Sequence, residues 1–350
     1  MFPGEYAVVR LGVLALAVAG GGCAGSIKKL RVYPGVAEIP PDAPGYADTL
    51  QIKYLGVGGF LMRRGPDVIL TAPFYSNPGF VRVGLRFPIW SRTNRIDKLL
   101  PDVRTVPAIL AGHSHYDHLL DLPFIANVRA PRASLYGNRT MVNILSSVVS
   151  PERLHALDFE AGELRRGGRT GAWQRVGDYI RFMAFRSEHA PHYRGIKLFK
   201  GEVAAPLKRL PRTAYGWKEG QTLAFVIDFL KDDGSIHYRV FYHDAAVNCP
   251  RYGGWPDFPA GEQRSPDVDI LCMASYQFVA NYPDYIVTNH LPANIIVGHW
   301  EDFSRSPARG PKVVPLTDGP RFMKRLEACN FPTNRTFLPQ PGAWMRFSEQ

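Results

Sequence analysis

His113, His115, Asp117 and His118 place three imidazoles and one carboxylate within six consecutive residues. Neutral imidazole nitrogen and carboxylate oxygen are ordinary ligands of a divalent cation. Without a cation the crowded histidines would repel one another once protonated, and they are too polar to form a hydrophobic seam. The cluster directly follows the apolar run Ala108, Ile109, Leu110, Ala111. A histidine-rich surface turn would give no reason for so specific a spacing. Metal-assisted chemistry is therefore the expectation, and the rest of the chain should supply further ligands.

The elements that would position them read as strands. Residues 50–55 alternate, Gly56, Gly58 and Gly59 give a flexible turn, and 60–62 and 68–71 resume as strands around a turn at 63–67. The buried strand 108–111 delivers the histidine cluster, and 119–126 has the apolar spacing of a helix. Residues 179–185 alternate and run into Ser187, Glu188 and His189. Residues 222–230 and 236–242, joined by Asp232, Asp233 and Gly234, read as a hairpin that ends at His243 and Asp244. Short buried strands are expected at 268–273 and 295–297, the second ending at Gly298 and His299. Asp318 and Pro320 open a last helix to about residue 329. His113–His118, His189, Asp244 and His299 thus each lie just past an apolar strand. Strand ends at one edge of a layered sheet converge on a common cleft.

With this order of motifs the chain resembles the metallo-β-lactamase-fold hydrolase superfamily. The H-x-H-x-D-H motif stands as His113-Ser114-His115-Tyr116-Asp117-His118, followed by single His189, Asp244 and His299. The resemblance implies an α/β (α+β) fold, a four-layer αββα sandwich over residues 48–350. It implies two Zn2+ ions, with Mn2+ or Fe as alternatives. His113, His115 and His189 would hold one ion, Asp117, His118 and His299 the other, and Asp244 would bridge them. The implied chemistry is hydrolysis of a phosphodiester or a lactone/ester, lipid-derived substrates included, by a metal-bridging hydroxide, with Asp117 accepting a proton. The text at 50–60, 68–74 and His299-Trp300-Glu301-Asp302-Phe303 looks most like the branch of ascorbate-phosphate lactonases and N-acyl phosphatidylethanolamine phospholipase D enzymes. Two positions depart from the pattern. Ala72 stands where the superfamily usually has an aspartate that braces the histidine loop, so that loop must be braced otherwise. His243 stands where glycine is common before the bridging aspartate.

Other residues admit a functional and a plain structural role. His192 could hydrogen-bond substrate or protonate a leaving group, or else sit at the rim as a brace. His243 reads as a neighbour that orients Asp244, while His155, His237 and His290 have no constellation around them. The insertion 73–104 carries Arg82, Arg86, Arg92 and Arg95 among aromatics. Guanidinium forks suit phosphate, so Arg82, Arg86 and Arg92 are candidate contacts to an anionic substrate; the alternative is a packed loop with solvated arginines.

A formal net charge of +11 over 350 residues suggests an anionic partner, a small molecule or a lipid. No block of five like charges occurs, so nucleic acid is not indicated. Arg10, the apolar stretch 11–19, Gly20 to Gly22 and Cys23 read as an export signal over 1–23. Cys23 could be a lipidated first residue, giving an exported, periplasmic or membrane-anchored lipoprotein; plain secretion or an uncleaved anchor is the alternative. Residues 24–47, with four prolines, read as a tether or an arm laid on the domain, and Lys28, Lys29 and Arg31 would then lie near a membrane surface. Cys249, Cys272 and Cys329 show no metal-binding spacing; a Cys249–Cys329 disulfide is allowed but not implied, and Cys272 reads as buried. Two competing functions remain: a mononuclear iron redox enzyme like the persulfide dioxygenases, and a catalytically inactive envelope lipoprotein of the same fold.

Overall fold

A computed structural model describes residues 27–306 and 309–349. The export signal and Cys23 lie outside the described residues. Two sheets dominate. The first contains β1 (Leu50–Gly56), β2 (Gly59–Arg64), β3 (Asp67–Thr71), β4 (Ala108–Leu110), β5 (Ser134–Gly137) and β6 (Leu154–Ala156). The second contains β7 (Gly162–Glu163), β8 (Trp173–Val176), β9 (Ile180–Arg186), β10 (Leu223–Leu230), β11 (Ile236–Tyr242), β12 (Val268–Cys272), β13 (Asn294–Gly298) and β14 (Thr336–Phe337). A last strand, β15 (Trp344–Phe347), returns to the first sheet as its edge beside β1. The strand orders are β15-β1-β2-β3-β4-β5-β6 and β14-β13-β12-β11-β10-β9-β7, with β8 on β9.

Side-chain alternation builds the layers. Leu50, Ile52 and Tyr54 of β1 share a core with Phe182, Phe225 and Tyr242 of the second sheet. Leu61, Leu70, Ile109 and Leu135 point the other way, onto Ile96, Leu119, Met141 and Ile144 of the helical segments outside the first sheet. Beyond the second sheet, the helices Asp284–His290 and Gly319–Ala328 bury Ile286 and Phe322. The outcome is helix, sheet, sheet, helix, the αββα sandwich. β10 is buried at every position, as a central strand requires, and its one charge, Asp228, is neutralised by Arg239 and Arg181. The hairpin from β10 to β11 turns at Gly234, whose φ of +80° suits glycine.

The segment before β1 lies along the first sheet's edge. Tyr33 N donates to Leu338 O, Val36 N donates to Trp344 O, and Arg63 binds Glu38 and the Ile39 carbonyl. Residues 119–126 differ from a continuous helix: Tyr116–Leu119 and Leu122–Phe124 are separate turns followed by a wide turn at Ile125–Arg129. Pro123 explains the break, since proline cannot donate to the helix ladder. The insertion 73–104 forms two short helices, Phe80–Gly84 and Thr93–Leu99. Cys249, Cys272 and Cys329 are all free thiols, so no Cys249–Cys329 disulfide forms.

Candidate metal centre

β4, β9, β11 and β13 end at the same edge of the sandwich, and the residues just beyond them meet. Gly112 leaves β4 against Asp244: a Cβ at this position would lie 2.3 Å from Asp244 Oδ1, so only glycine lets the loop pass. Gly58 is under the same constraint, with its would-be Cβ 2.8 Å from His118 Nδ1. The histidine loop is held from outside the cluster. Ser114 N donates to Glu219 O at 2.9 Å, and Ser114 Oγ donates to Asn138 Oδ1 at 2.6 Å. Asn138 in turn caps the helix Arg139–Leu145 and donates to the carbonyls of Glu219 and Gln221.

Three donor sets result: His113, His115 and His189; His113, His118 and Asp244; and Asp117, His118 and His299, with the ligand atoms of each set within 4.8 Å of one another. Asp244 sits between two imidazoles, its Oδ1 3.1 Å from His113 Nδ1 and its Oδ2 3.3 Å from His118 Nδ1. Asp117 Oδ2 lies 3.5 Å from His118 Nε2 and 3.4 Å from His299 Nε2. All seven sequence-derived ligands are thus brought together.

The protonation states suit metal binding. Burial, reinforced by neighbouring imidazoles, holds His113 and His115 well below the usual histidine range. Burial likewise pushes His118 down to about 3 and lowers His189. Burial works to raise Asp117, but His118 and His299 prevail and keep it below the usual carboxylate range. His299 is raised, because the carboxylate of Asp117 outweighs its burial. The ring of His189 is fixed by Nδ1–H donation to Ala190 O at 2.6 Å, which leaves Nε2 as a free lone pair. His113 Nε2, His115 Nε2, both nitrogens of His118, His299 Nδ1 and Asp244 Oδ2 are buried without a hydrogen-bond partner. Buried polar atoms are rarely left so, and these six all belong to residues of the donor sets. Divalent cations would satisfy them, so the residues fit the ions the resemblance implies.

The bracing that Ala72 cannot give comes from elsewhere. Glu301, buried two residues beyond His299, accepts from the Tyr54 hydroxyl and from Val57 N at 2.6 Å. The Tyr54 hydroxyl oxygen and Val57 O share the His299 N–H, each at 3.1 Å, holding His299 at a φ of +49°. Thr71 Oγ1 donates to Gly58 O and accepts from Phe60 N, fixing the glycine turn under His118. Buried Asp121 follows the motif helix and accepts from Tyr75 N, Ser76 N, Ser76 Oγ and Ser91 Oγ, tying the insertion to the site. Sequence reading missed Glu301, Tyr54 and Asp121. Acidic residues inside apolar text were the available signal.

Other candidates fall in varied places. His192 stacks on His189 with ring centroids 4.9 Å apart, and its Nδ1 accepts the Leu198 N–H at 3.1 Å. His243 does not hydrogen-bond Asp244: its Nε2 pairs with Ser187 Oγ at 2.5 Å, because its ring points to the outer face of the sheet. His290 does have a partner, Asp269, at 3.0 Å in the core. His155 stacks on Tyr136, and His237 lies beside Arg64. An open cleft leads to the centre. Phe80, Val83, Leu198, Phe199, Phe303 and Leu316 wall it, with His115, Asp117, His189, His192 and His299 at the base. Among the described residues no lysine or arginine lines it, so Arg82, Arg86 and Arg92 are not brought to the centre. Arg82 donates to Pro88 O and lies over Trp90, Arg86 lies over Tyr215, and Arg92 is exposed at the start of Thr93–Leu99.

No protein-family model and no curated protein sequence matches the chain. Solved structures do. A metallo hydrolase from the archaeon Ignicoccus hospitalis is 12% identical with a TM-score of 0.50, over 86% of this chain and 100% of that one. A metallo-β-lactamase-fold protein from Bacillus subtilis is 11% identical with a TM-score of 0.47, over 86% and 100%. A diiron β-hydroxylase from Streptomyces venezuelae is 13% identical with a TM-score of 0.48, over 89% of this chain and 55% of that one. The likeness to the archaeal protein, at 12% identity and a TM-score of 0.50, speaks to the fold alone.

Proposed function

Because this chain has the metallo-β-lactamase fold, we propose that it is a metal-dependent hydrolase holding two zinc ions and acting on an uncharged carboxylic ester or lactone with an apolar arm. The observation that carries the reading is the set of orphaned buried nitrogens and the orphaned Asp244 Oδ2 at the meeting point of the strand ends. His113, His115 and His189 would hold one ion, Asp117, His118 and His299 the other, with Asp244 between them. Five imidazoles and two carboxylates suit zinc. Such a pair of ions, when bound, lowers the pKa of water and polarises the carbonyl to be attacked.

The chain's own groups supply the rest. Asp117, held ionised at the cleft base, accepts the proton that water gives up on attack. His192 is a fixed donor. Its Nδ1 is occupied as an acceptor by the Leu198 N–H, so the neutral ring carries its proton on Nε2. That N–H can bind the carbonyl oxygen as negative charge develops there. The aromatic and aliphatic walls bind the apolar arm and keep bulk water away. The lining, which among the described residues holds Asp302 but no lysine or arginine, favours an uncharged ester over a phosphodiester. The two donor sets that share no residue, His113, His115 and His189 and Asp117, His118 and His299, favour two ions over a mononuclear iron centre.

Zinc-loaded protein assayed against p-nitrophenyl butyrate, an aliphatic lactone and bis(p-nitrophenyl) phosphate tests the reading. Ester or lactone turnover that disappears on chelation is expected. Zinc-replete protein that cleaves none of the three would overturn it.

A further inference from the structure

The cleft's outer wall continues into a surface with unusual composition. Phe80, Val83 and Gly84 of the helix Phe80–Gly84 line the cleft, but Val81, Leu85, Phe87 and Trp90 face solvent with 57%, 49%, 50% and 53% of their surface exposed. Globular proteins seldom expose so many large apolar groups within ten residues. The turn that displays them is built, since Phe87 N donates to Arg82 O at 2.9 Å and the Arg82 guanidinium donates to Pro88 O at 2.8 Å. Arg82 also lies 4.8 Å from the Trp90 ring centre, which joins the two ends of the turn. The same turn is cationic. Arg82, Arg86 and Arg92 belong to it, and exposed Arg212, Arg209 and Lys208 lie on the segment that accepts the Ile89 N–H.

We propose that this face docks onto the surface of a bilayer rich in anionic phospholipid, with Val81, Leu85, Phe87 and Trp90 entering the headgroup–acyl boundary. The arginines would pair with phosphates there, which is the chemistry guanidinium performs best. Apolar side chains interleaved with cations are what an interfacial anchor requires, and the net charge of +11 adds long-range attraction. Among the described residues no helix is long and apolar enough to cross a membrane, so this contact is peripheral. Its place beside the cleft mouth gives it a use: a substrate with an apolar arm passes from the bilayer along Phe80 and Val83 without crossing bulk water. That use rests on the proposed hydrolase reading; the docking itself does not.

The test reads contact at the turn, so that attachment elsewhere in the chain does not confuse it. Full-length protein is mixed with phosphatidylcholine–phosphatidylglycerol vesicles whose acyl chains carry bromine, a short-range quencher of indole fluorescence. Quenching is expected for the native protein, its Trp90 share missing in Trp90→Phe. The double variant Leu85→Glu, Phe87→Glu should weaken vesicle affinity about tenfold or more, with far-UV circular dichroism and hydrolysis of soluble ester unchanged. Quenching identical in native and Trp90→Phe protein would overturn the proposal. So would a doubled solution mass that the double variant abolishes, which would make the patch a contact between copies. Failure of ester hydrolysis with the quenching pattern intact would count against the hydrolase alone.

Discussion

Glu301→Ala is the perturbation with the clearest expected magnitude. The Glu301 carboxylate is buried and accepts from two buried donors, the Tyr54 hydroxyl and Val57 N. Removing it leaves Val57 N unpaired and the Tyr54 hydroxyl with only its long contact to Val57 O at 3.4 Å, at about 1–3 kcal/mol each. The variant also escapes the cost of burying a carboxylate, so a net loss of about 2–4 kcal/mol is expected. For a chain of this size that lowers the melting temperature by roughly 3–6 °C. The second consequence is local. Without Glu301 neither the Tyr54 hydroxyl nor the Val57 backbone is anchored, and these are the two groups that share the His299 N–H and hold its positive φ. Outer partners of this kind are typically worth about 10–100-fold in metal affinity. Zinc titration against a competing chelator should show the ion held by Asp117, His118 and His299 weakened by that factor, the other ion much less. Denaturant unfolding of the apo-protein gives the stability term separately. Glu301→Ala protein that melts like the native form and binds both ions equally well would refute the reasoning.

Three further outcomes follow from the geometry. Burial holds His118 and His243 at about 3 and His113 and His115 well below the usual range, so the unfolded chain binds more protons than the folded one below about pH 6.5. Apo-protein stability therefore falls with acidification, by about 2 kcal/mol per such imidazole between pH 7 and pH 5; urea unfolding that is equal or stronger at pH 5 would contradict this. His192→Phe should lower kcat about 100-fold at unchanged zinc content, as loss of an oxyanion donor does. In the native ring a long-range nitrogen–proton correlation should place the proton on Nε2; a proton on Nδ1 would exclude that role. Chelation should lower thermal stability by about 2.7 kcal/mol for each ion present at a hundredfold excess over its Kd. An unchanged melting curve would mean that the donor sets hold nothing.

Much of this was legible in the sequence because the ligands are carried by short-range pattern. His113 to His118 is a local motif, and His189, Asp244 and His299 follow strands whose apolar text is unambiguous. β15 was not foreseen, since nothing near Trp344 announces pairing with residues some three hundred positions earlier. The helix Asp284–His290 is similarly decided by its burial on the second sheet, through Ile286 and His290, rather than by its own periodicity. His290 found its partner Asp269 only through that packing. Arg82, Arg86 and Arg92 were read as substrate contacts or solvated loop residues because charge can be seen in a sequence; side-chain direction cannot, and it lays Arg82 on Trp90 and Arg86 on Tyr215 at the cleft wall. Ser114 ties the histidine loop to Asn138 and Glu219, Glu301 braces the turn beside His299 and Asp121 ties in the insertion, and these contacts join segments too distant for any spacing rule.

Anomalous scattering from crystals of zinc-loaded protein, recorded on both sides of the zinc edge, addresses the central claim most directly. Two peaks are expected, one among His113, His115 and His189 and one among Asp117, His118 and His299, with Asp244 between them. A single peak, or zinc bound away from these seven side chains, would contradict it.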